Sequence, residues 1–189
     1  MGYLNAIGQE FKKSWWNAVV IVVFTIARLL FGWDWFSAGL EKLSWFTDGK
    51  FGQNASGLIK GMVVAIQHSH GTDPLHLNNL LVWFANNLFL NMGGLTDFLV
   101  VAFEILIGVF FFFGFAFVPT VIAAIFLNLQ YAAAGAANNF GYLVTDIVWL
   151  KFPSYASLIG VDGYIRYRRG RKLVGSGKAT GSTPSGMAV

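Results

Sequence analysis

The stretch Arg28-Leu29-Leu30-Phe31-Gly32-Trp33-Asp34-Trp35-Phe36-Ser37-Ala38-Gly39-Leu40-Glu41-Lys42 decides how the chain is read, because it sets charges into an otherwise apolar helix. On a helix, Arg28, Gly32, Trp35, Gly39 and Lys42 follow one another at steps of four and three, so one seam carries all five. That seam offers two cations, two residues small enough to admit a neighbouring backbone, and an indole.

The surrounding composition places this helix in a bilayer. Of 189 residues, 56% are hydrophobic and 12% charged, and the mean hydropathy is +0.58, above what a soluble domain of this length needs for its core. The net charge of +4 does not point to nucleic acid. Arg166, Arg168, Arg169, Arg171 and Lys172 directly follow the last apolar run, which is the positive-inside pattern, with contact to anionic lipid as an addition. The absence of cysteine excludes disulfides, thiolate nucleophiles and Cys-ligated iron–sulfur clusters. Paired-histidine haem is not expected either, since His68, His70 and His76 all fall in one connection, and His-Ser-His is a poor helical spacing for a metal.

The predicted fold is an all-α integral membrane protein: one domain over 1–174 and a flexible Gly/Ser/Thr/Pro-rich tail over 175–189. Four spans are expected, at about 17–43, 97–118, 120–137 and 142–160. An interfacial segment with Lys12, Lys13, Trp15 and Trp16 leads into the first; it lacks a small-residue cleavage site and is expected to be retained. The long connection 45–95 reads as two amphipathic helices over the outer mouth of the bundle, with Gly71-Thr72-Asp73-Pro74 as the turn between them. Thr96 or Asp97 is expected to cap the second span, Pro119 to end it, and the last span to kink at Lys151 and Pro153. Four crossings put both termini on one side. Lys12, Lys13, the 166–172 cluster and Lys178 outweigh Lys42, Lys50 and Lys60, so that side is cytoplasmic in the plasma membrane.

This topology sets the depths of the intramembrane charges. Measured from an outer edge near Phe36, Arg28 lies about 13 Å deep and Glu104 about 9 Å, so the two are expected to pair. Asp34 and Asp146 belong to the same outer half. Two readings stay open: Arg28 and Glu104 lock two helices together, or they line an outward-facing polar pocket for an anion or a quinone head group. Asp34 is read as an interfacial anchor or a proton-handling carboxylate, and Asn128 and Gln130 as helix–helix hydrogen-bonding groups.

The stretch 28–42 also resembles the opening helix of the DoxX/DoxD family of four-span membrane proteins, in which an arginine, a glycine, aromatics, an Ala-Gly pair and a lysine recur at these spacings. The likeness continues through Ala55-Ser56-Gly57-Leu58-Ile59-Lys60-Gly61, through Glu104 with Gly108, and through Leu158-Ile159-Gly160-Val161-Asp162. Arg28, Glu41, Lys42, Glu104 and Asp162 match family positions. The resemblance implies a membrane subunit of a quinone-linked oxidoreductase that works with a partner subunit, the DoxD-like members being thiosulfate:quinone oxidoreductase components. On that reading Arg28, Trp35, Glu41, Lys42 and Asp162 bind substrate, and Arg28, Glu104, Asp34 and Asp146 serve catalysis, the carboxylates handling protons while a diffusible quinone accepts electrons. The other reading is a non-catalytic accessory or assembly subunit of a larger respiratory membrane complex.

Overall fold

A computed structural model describes residues 2–69, 73, 76–133 and 138–174, the last group without the side chains of 138–140. Nine α-helices follow in order among the described residues: α1 Tyr3–Lys13, α2 Trp15–Glu41, α3 Asn54–Gln67, α4 Leu77–Asn87, α5 Gly94–Phe113, α6 Phe117–Ala133, α7 Asn138–Lys151, α8 Pro153–Ala156 and α9 Val161–Arg168. No strand occurs among them. Two helices are long and apolar enough to cross a membrane: α2 with its 3-10 extension, Trp15–Phe46, and α5. Helix α6 is apolar but shorter, at 17 residues.

Helix α2 meets α5 along the predicted seam. Its buried residues include Arg28, Gly32, Trp35 and Gly39, while Val22, Val23, Ile26, Leu30 and Trp33 face outward. The glycines let the two backbones touch: a Cβ on Gly32 would stand 2.9 Å from the Phe112 nitrogen, and one on Gly108 would stand 2.5 Å from the Phe36 nitrogen. Around this contact α5, α6, α7 and α8 close a core of Phe31, Trp35, Ile107, Phe111, Phe117 and Trp149 with their neighbours. Phe31 sits edge-on to Phe111 and Trp149, with ring centres 5.3 Å and 4.7 Å away.

The bundle has two unlike ends. At one, the α3–α4 pair packs through Met62, Leu81 and Ala85 onto Leu129 and Ala133 of α6. These are the two amphipathic helices expected of the long connection; most of the turn between them lies outside the described residues. Asp73, which is described, caps α4 by accepting from the Leu77 and Asn78 amides at 2.9 Å and 2.8 Å. At the other end α1 docks on α9, Tyr3 lying edge-on to Tyr164 and donating to the carbonyls of Leu158 and Gly160.

Several expected boundaries move. The α5–α6 turn comes earlier than Pro119 suggests. Gly114 ends α5 in the left-handed region at φ 60°, and Pro119 sits in the first turn of α6, where the missing amide has no helical partner to lose. Asp97 does not cap its own helix; it is fully buried and accepts from the Gly52 and Ala55 amides at 2.7 Å and 2.8 Å, fixing the start of α3. Thr96 donates to the Phe89 carbonyl at 2.6 Å. The helix expected over 142–160 is broken at Phe152, so α7 stops at Lys151, and α8 and α9 follow as separate pieces. The end of the third expected span, 134–137, and the tail, 175–189, lie outside the described residues.

Candidate functional site

Arg28 and Glu104 do not meet. The Arg28 guanidinium, 2% exposed, donates through Nη1 to the carbonyls of Phe111 at 2.5 Å and Phe112 at 3.0 Å, and through Nη2 to that of Ile159 at 2.7 Å. It ties off the last carbonyls of α5, where the helix dipole also favours a cation. A Cβ on Gly114 would stand 2.5 Å from Nη1, so the glycine that reverses the chain also makes room for the guanidinium. Asp162 belongs to the same end: it accepts from the Ala116 and Phe117 amides at 3.0 Å and 2.8 Å, capping α6 from another helix. Arg28 and Asp162 are thus engaged in turning the backbone.

Glu104 pairs instead with Lys42. The Lys42 ammonium stands 2.9 Å from Oε1 and 2.8 Å from Oε2, and Glu104 is 1% exposed. The reason is register. Glycine contacts place Gly32 beside Gly108 and Phe112, and Gly39 beside Ile105, so antiparallel α5 brings position 104 level with position 42. Arg28 lies 14 residues away along α2, about 21 Å.

A third group joins this pair: the Tyr131 hydroxyl donates to Glu104 Oε1 at 2.5 Å. Lys42 also lies 5.9 Å from the Trp45 ring and 6.0 Å from that of Tyr131. Trp35 completes the wall, its ring 6.5 Å from Tyr131 and its buried Nε1 without a hydrogen-bond partner among the described residues. Of the residues expected to bind substrate, the structure therefore gathers Trp35 and Lys42 around Glu104. Glu41 is exposed at the end of α2, its carbonyl accepting from Ser44 Oγ at 2.9 Å.

The other two carboxylates stand apart from both ends. Asp34 is exposed and accepts from the Tyr142 hydroxyl at 3.1 Å. Asp146 is fully buried; its Oδ2 accepts from Asn128 Nδ2 at 2.8 Å, and its Oδ1 has no partner among the described residues. Asn128 thus bonds between helices as expected. His68 is exposed and bonds to the Val64 carbonyl at the end of α3, His76 precedes α4, and His70 lies outside the described residues.

Beside the Lys42–Glu104–Tyr131 group is a half-open recess, with walls that include Trp45, Ile59, Met62, Val100, Gln130 and Tyr131. Its lining is almost wholly apolar, and Gln130 and Tyr131 stand side by side among its polar residues. A mostly apolar pocket with a few convergent polar groups is the usual form of a small-molecule site. Tyr131 and Trp45 were not singled out in the sequence. Tyr131 was nonetheless within reach, because Phe117, Val121, Ala124, Asn128 and Tyr131 follow the same four-and-three spacing that marks the seam of α2.

No protein-family model, no curated protein and no solved structure matches the chain. The likeness to the DoxX/DoxD proteins rests on the residues quoted above.

Proposed function

We propose that the chain is a multi-pass protein of the plasma membrane and a subunit of a quinone-linked oxidoreductase, with the quinone head group in the recess beside Tyr131. In this reading α2, α5, α6 and the α7–α8 pair cross the bilayer, the α3–α4 pair covers the outer end, and α1 and α9, with their cations, lie on the cytoplasmic side. The observation that carries the proposal is Tyr131: its side chain lines an apolar recess, and its hydroxyl is hydrogen-bonded to a carboxylate that is itself ion-paired.

The chemistry follows from those contacts. An apolar cleft takes the flat ring of a quinone, and its carbonyl oxygens need donors at one edge: the Gln130 amide can supply one, and the Tyr131 hydroxyl can supply another only by turning its single proton away from Glu104. Reduction of a quinone takes up protons: the phenol would give its proton to the reduced ring's oxygen and take one back from the Lys42 ammonium through Glu104, and Lys42, which keeps access to solvent, would regain one from water. Lys42 holds Glu104 in place and balances its charge. With no cysteine and no redox cofactor implied in this chain, electrons arrive from a partner subunit. Oxidation of a small anion such as thiosulfate, which the family resemblance implies, falls to that partner, because Lys42 is neutralised by Glu104 and Arg28 is sealed behind backbone carbonyls.

The full chain in lipid nanodiscs, titrated with a short-chain 1,4-benzoquinone and followed by tryptophan quenching, tests this reading. Saturable quenching that weakens by about tenfold in Tyr131→Phe, the loss of one good hydrogen bond, is expected. Quenching that never saturates, or is identical in the variant, sinks the proposal. The accessory-subunit reading draws on the outward apolar face of α5, Phe98, Phe103, Leu106, Phe112 and Phe113, which suits a partner helix as well as lipid. Glu104→Gln separates the two: turnover lost with the complex assembled supports the oxidoreductase, and turnover kept with the complex assembled supports the scaffold.

A further inference from the structure

A second recess, more enclosed and of about 110 Å³, adjoins the first. The two share Phe89, Thr96, Val100 and Leu127 as common walls, and the second continues along Leu99 and Phe103 of α5 and Ala123 and Phe126 of α6. On α6 the floor of the pair is one helical stripe: Ala123, Leu127, Gln130 at steps of four and three. It runs from apolar to polar.

The second recess holds no usable polar group. Its one hydroxyl, Thr96 Oγ1, is already donated to the Phe89 carbonyl at 2.6 Å. A ring with carbonyl oxygens would find no donor there, whereas hydrocarbon would lose nothing by entering. The direction also fits a bilayer. Gln130 stands toward the end covered by α3 and α4, and Ala123 lies seven residues back along α6, about 10 Å nearer the middle of the bundle. An amphipathic ligand would therefore lie with its head near the outer surface and its chain pointing toward the membrane interior. Phe103, 45% exposed at the far wall, marks where such a chain would leave for the lipid.

Resting on the quinone reading above, we infer that the ligand carries a long hydrocarbon tail and that the α5–α6 recess is its tail site, so the protein selects long-chain quinones over tail-less ones. Ala123 is the residue that sets this selectivity: it is the smallest side chain in the second recess and lines that recess but not the first, while also touching the edge of the main core. A larger side chain at 123 fills the tail site and leaves the edge at Gln130 and Tyr131 untouched.

The test uses the full chain in nanodiscs with two probes of identical head, a tail-less 1,4-benzoquinone and the same ring bearing a long isoprenoid chain, each scored by concentration in the bilayer. Wild type should hold the long-chain probe about tenfold or more tighter, the burial of a few methylenes. Ala123→Trp should erase that preference while leaving the tail-less probe unchanged, and Ala123→Leu, a milder filling, should reduce it if the tryptophan variant fails to fold. A preference that survives both variants, an equal loss for both probes, or no preference in wild type overturns the tail site and leaves the quinone reading standing. A phospholipid that copurifies with wild type, is lost from Ala123→Trp and is not displaced by the long-chain probe overturns it too, assigning the recess to bilayer lipid. Failure of both probes to bind wild type saturably overturns the quinone reading and this inference together.

Discussion

The two ends of the α2 seam carry the same charge and put it to opposite uses. At one end Arg28 is sealed among backbone carbonyls of α5 and of the α8–α9 turn. At the other, Lys42 keeps a quarter of its side chain exposed and faces a carboxylate that also takes a bond from a phenol. Peptide carbonyls cannot exchange protons under ordinary conditions, whereas a carboxylate and a phenol can. The comparison teaches that a buried cation is informative only through its partner: guanidinium to carbonyl builds a fold, and ammonium to carboxylate to phenol builds a site. It also separates two residues that spacing alone makes equivalent.

The largest effect expected to break this comparison is at Arg28. Arg28→Ala leaves the Phe112 and Ile159 carbonyls without this donor and the Phe111 carbonyl with only its bond from the Gly114 amide, and should cost on the order of 3 kcal/mol, seen as loss of folded protein in detergent titrations. Arg28→Lys should recover only part of this, because one ammonium cannot span carbonyls on two separate turns as a planar guanidinium does. Glu104→Gln should do the reverse. It keeps the size of the side chain and costs about 1 kcal/mol of stability, since Lys42 retains access to solvent, yet it should lower quinone turnover in the assembled complex by about 10²-fold. A Glu104 variant that unfolds while retaining turnover per folded molecule, or an Arg28 variant that folds normally, would erase the distinction drawn between the two ends.

Much of this contrast was legible in the residues, and what was missed has a physical cause. The seam itself was readable because helical spacing is rigid: Arg28, Gly32, Trp35 and Gly39 are buried together as the four-and-three steps require. The partner of Arg28 is not legible, because depth counted from a membrane edge carries no information about the register between two helices. Register is set by the glycines, and pairing Gly32 and Gly39 with the Gly108 side of α5 brings Lys42, not Arg28, to Glu104. The α5–α6 boundary was misplaced by reading Pro119 as a stop, when proline is equally at home in a first turn. Asp97 and Asp162 show a further limit. Both serve as caps for helices other than their own, and no local spacing announces a cap supplied from elsewhere in the fold. The recess, too, depends on how α3 lies over α5 and α6, which periodicity does not encode.

The smallest effect sharpens the account of the Arg28 end. Tyr3 lies outside the apolar helices, and its phenol donates to the carbonyls of Leu158 and Gly160, so it fastens α1 to the same turn that Arg28 closes from inside. Burial pushes this phenol above its usual value of 10.0, with Arg166 and Arg28 opposing the shift. A group whose folded pKa is raised contributes its stability in full below the unfolded value and loses it as pH rises through the folded one. Alkali should therefore free α1 first: hydrogen-exchange protection in residues 3–13, corrected for the intrinsic rise of exchange with pH, should hold to about pH 10 and fall above it. Tyr3→Phe should cost about 1 kcal/mol of α1 docking at neutral pH. The same change should remove the part of the alkaline loss of protection that wild type owes to this phenol, while the Lys42–Glu104–Tyr131 group at the far end keeps its quinone affinity. A variant whose exchange follows wild type across the whole pH range would show that α1 is held by its apolar face alone, and that Arg28 closes its turn without help from outside.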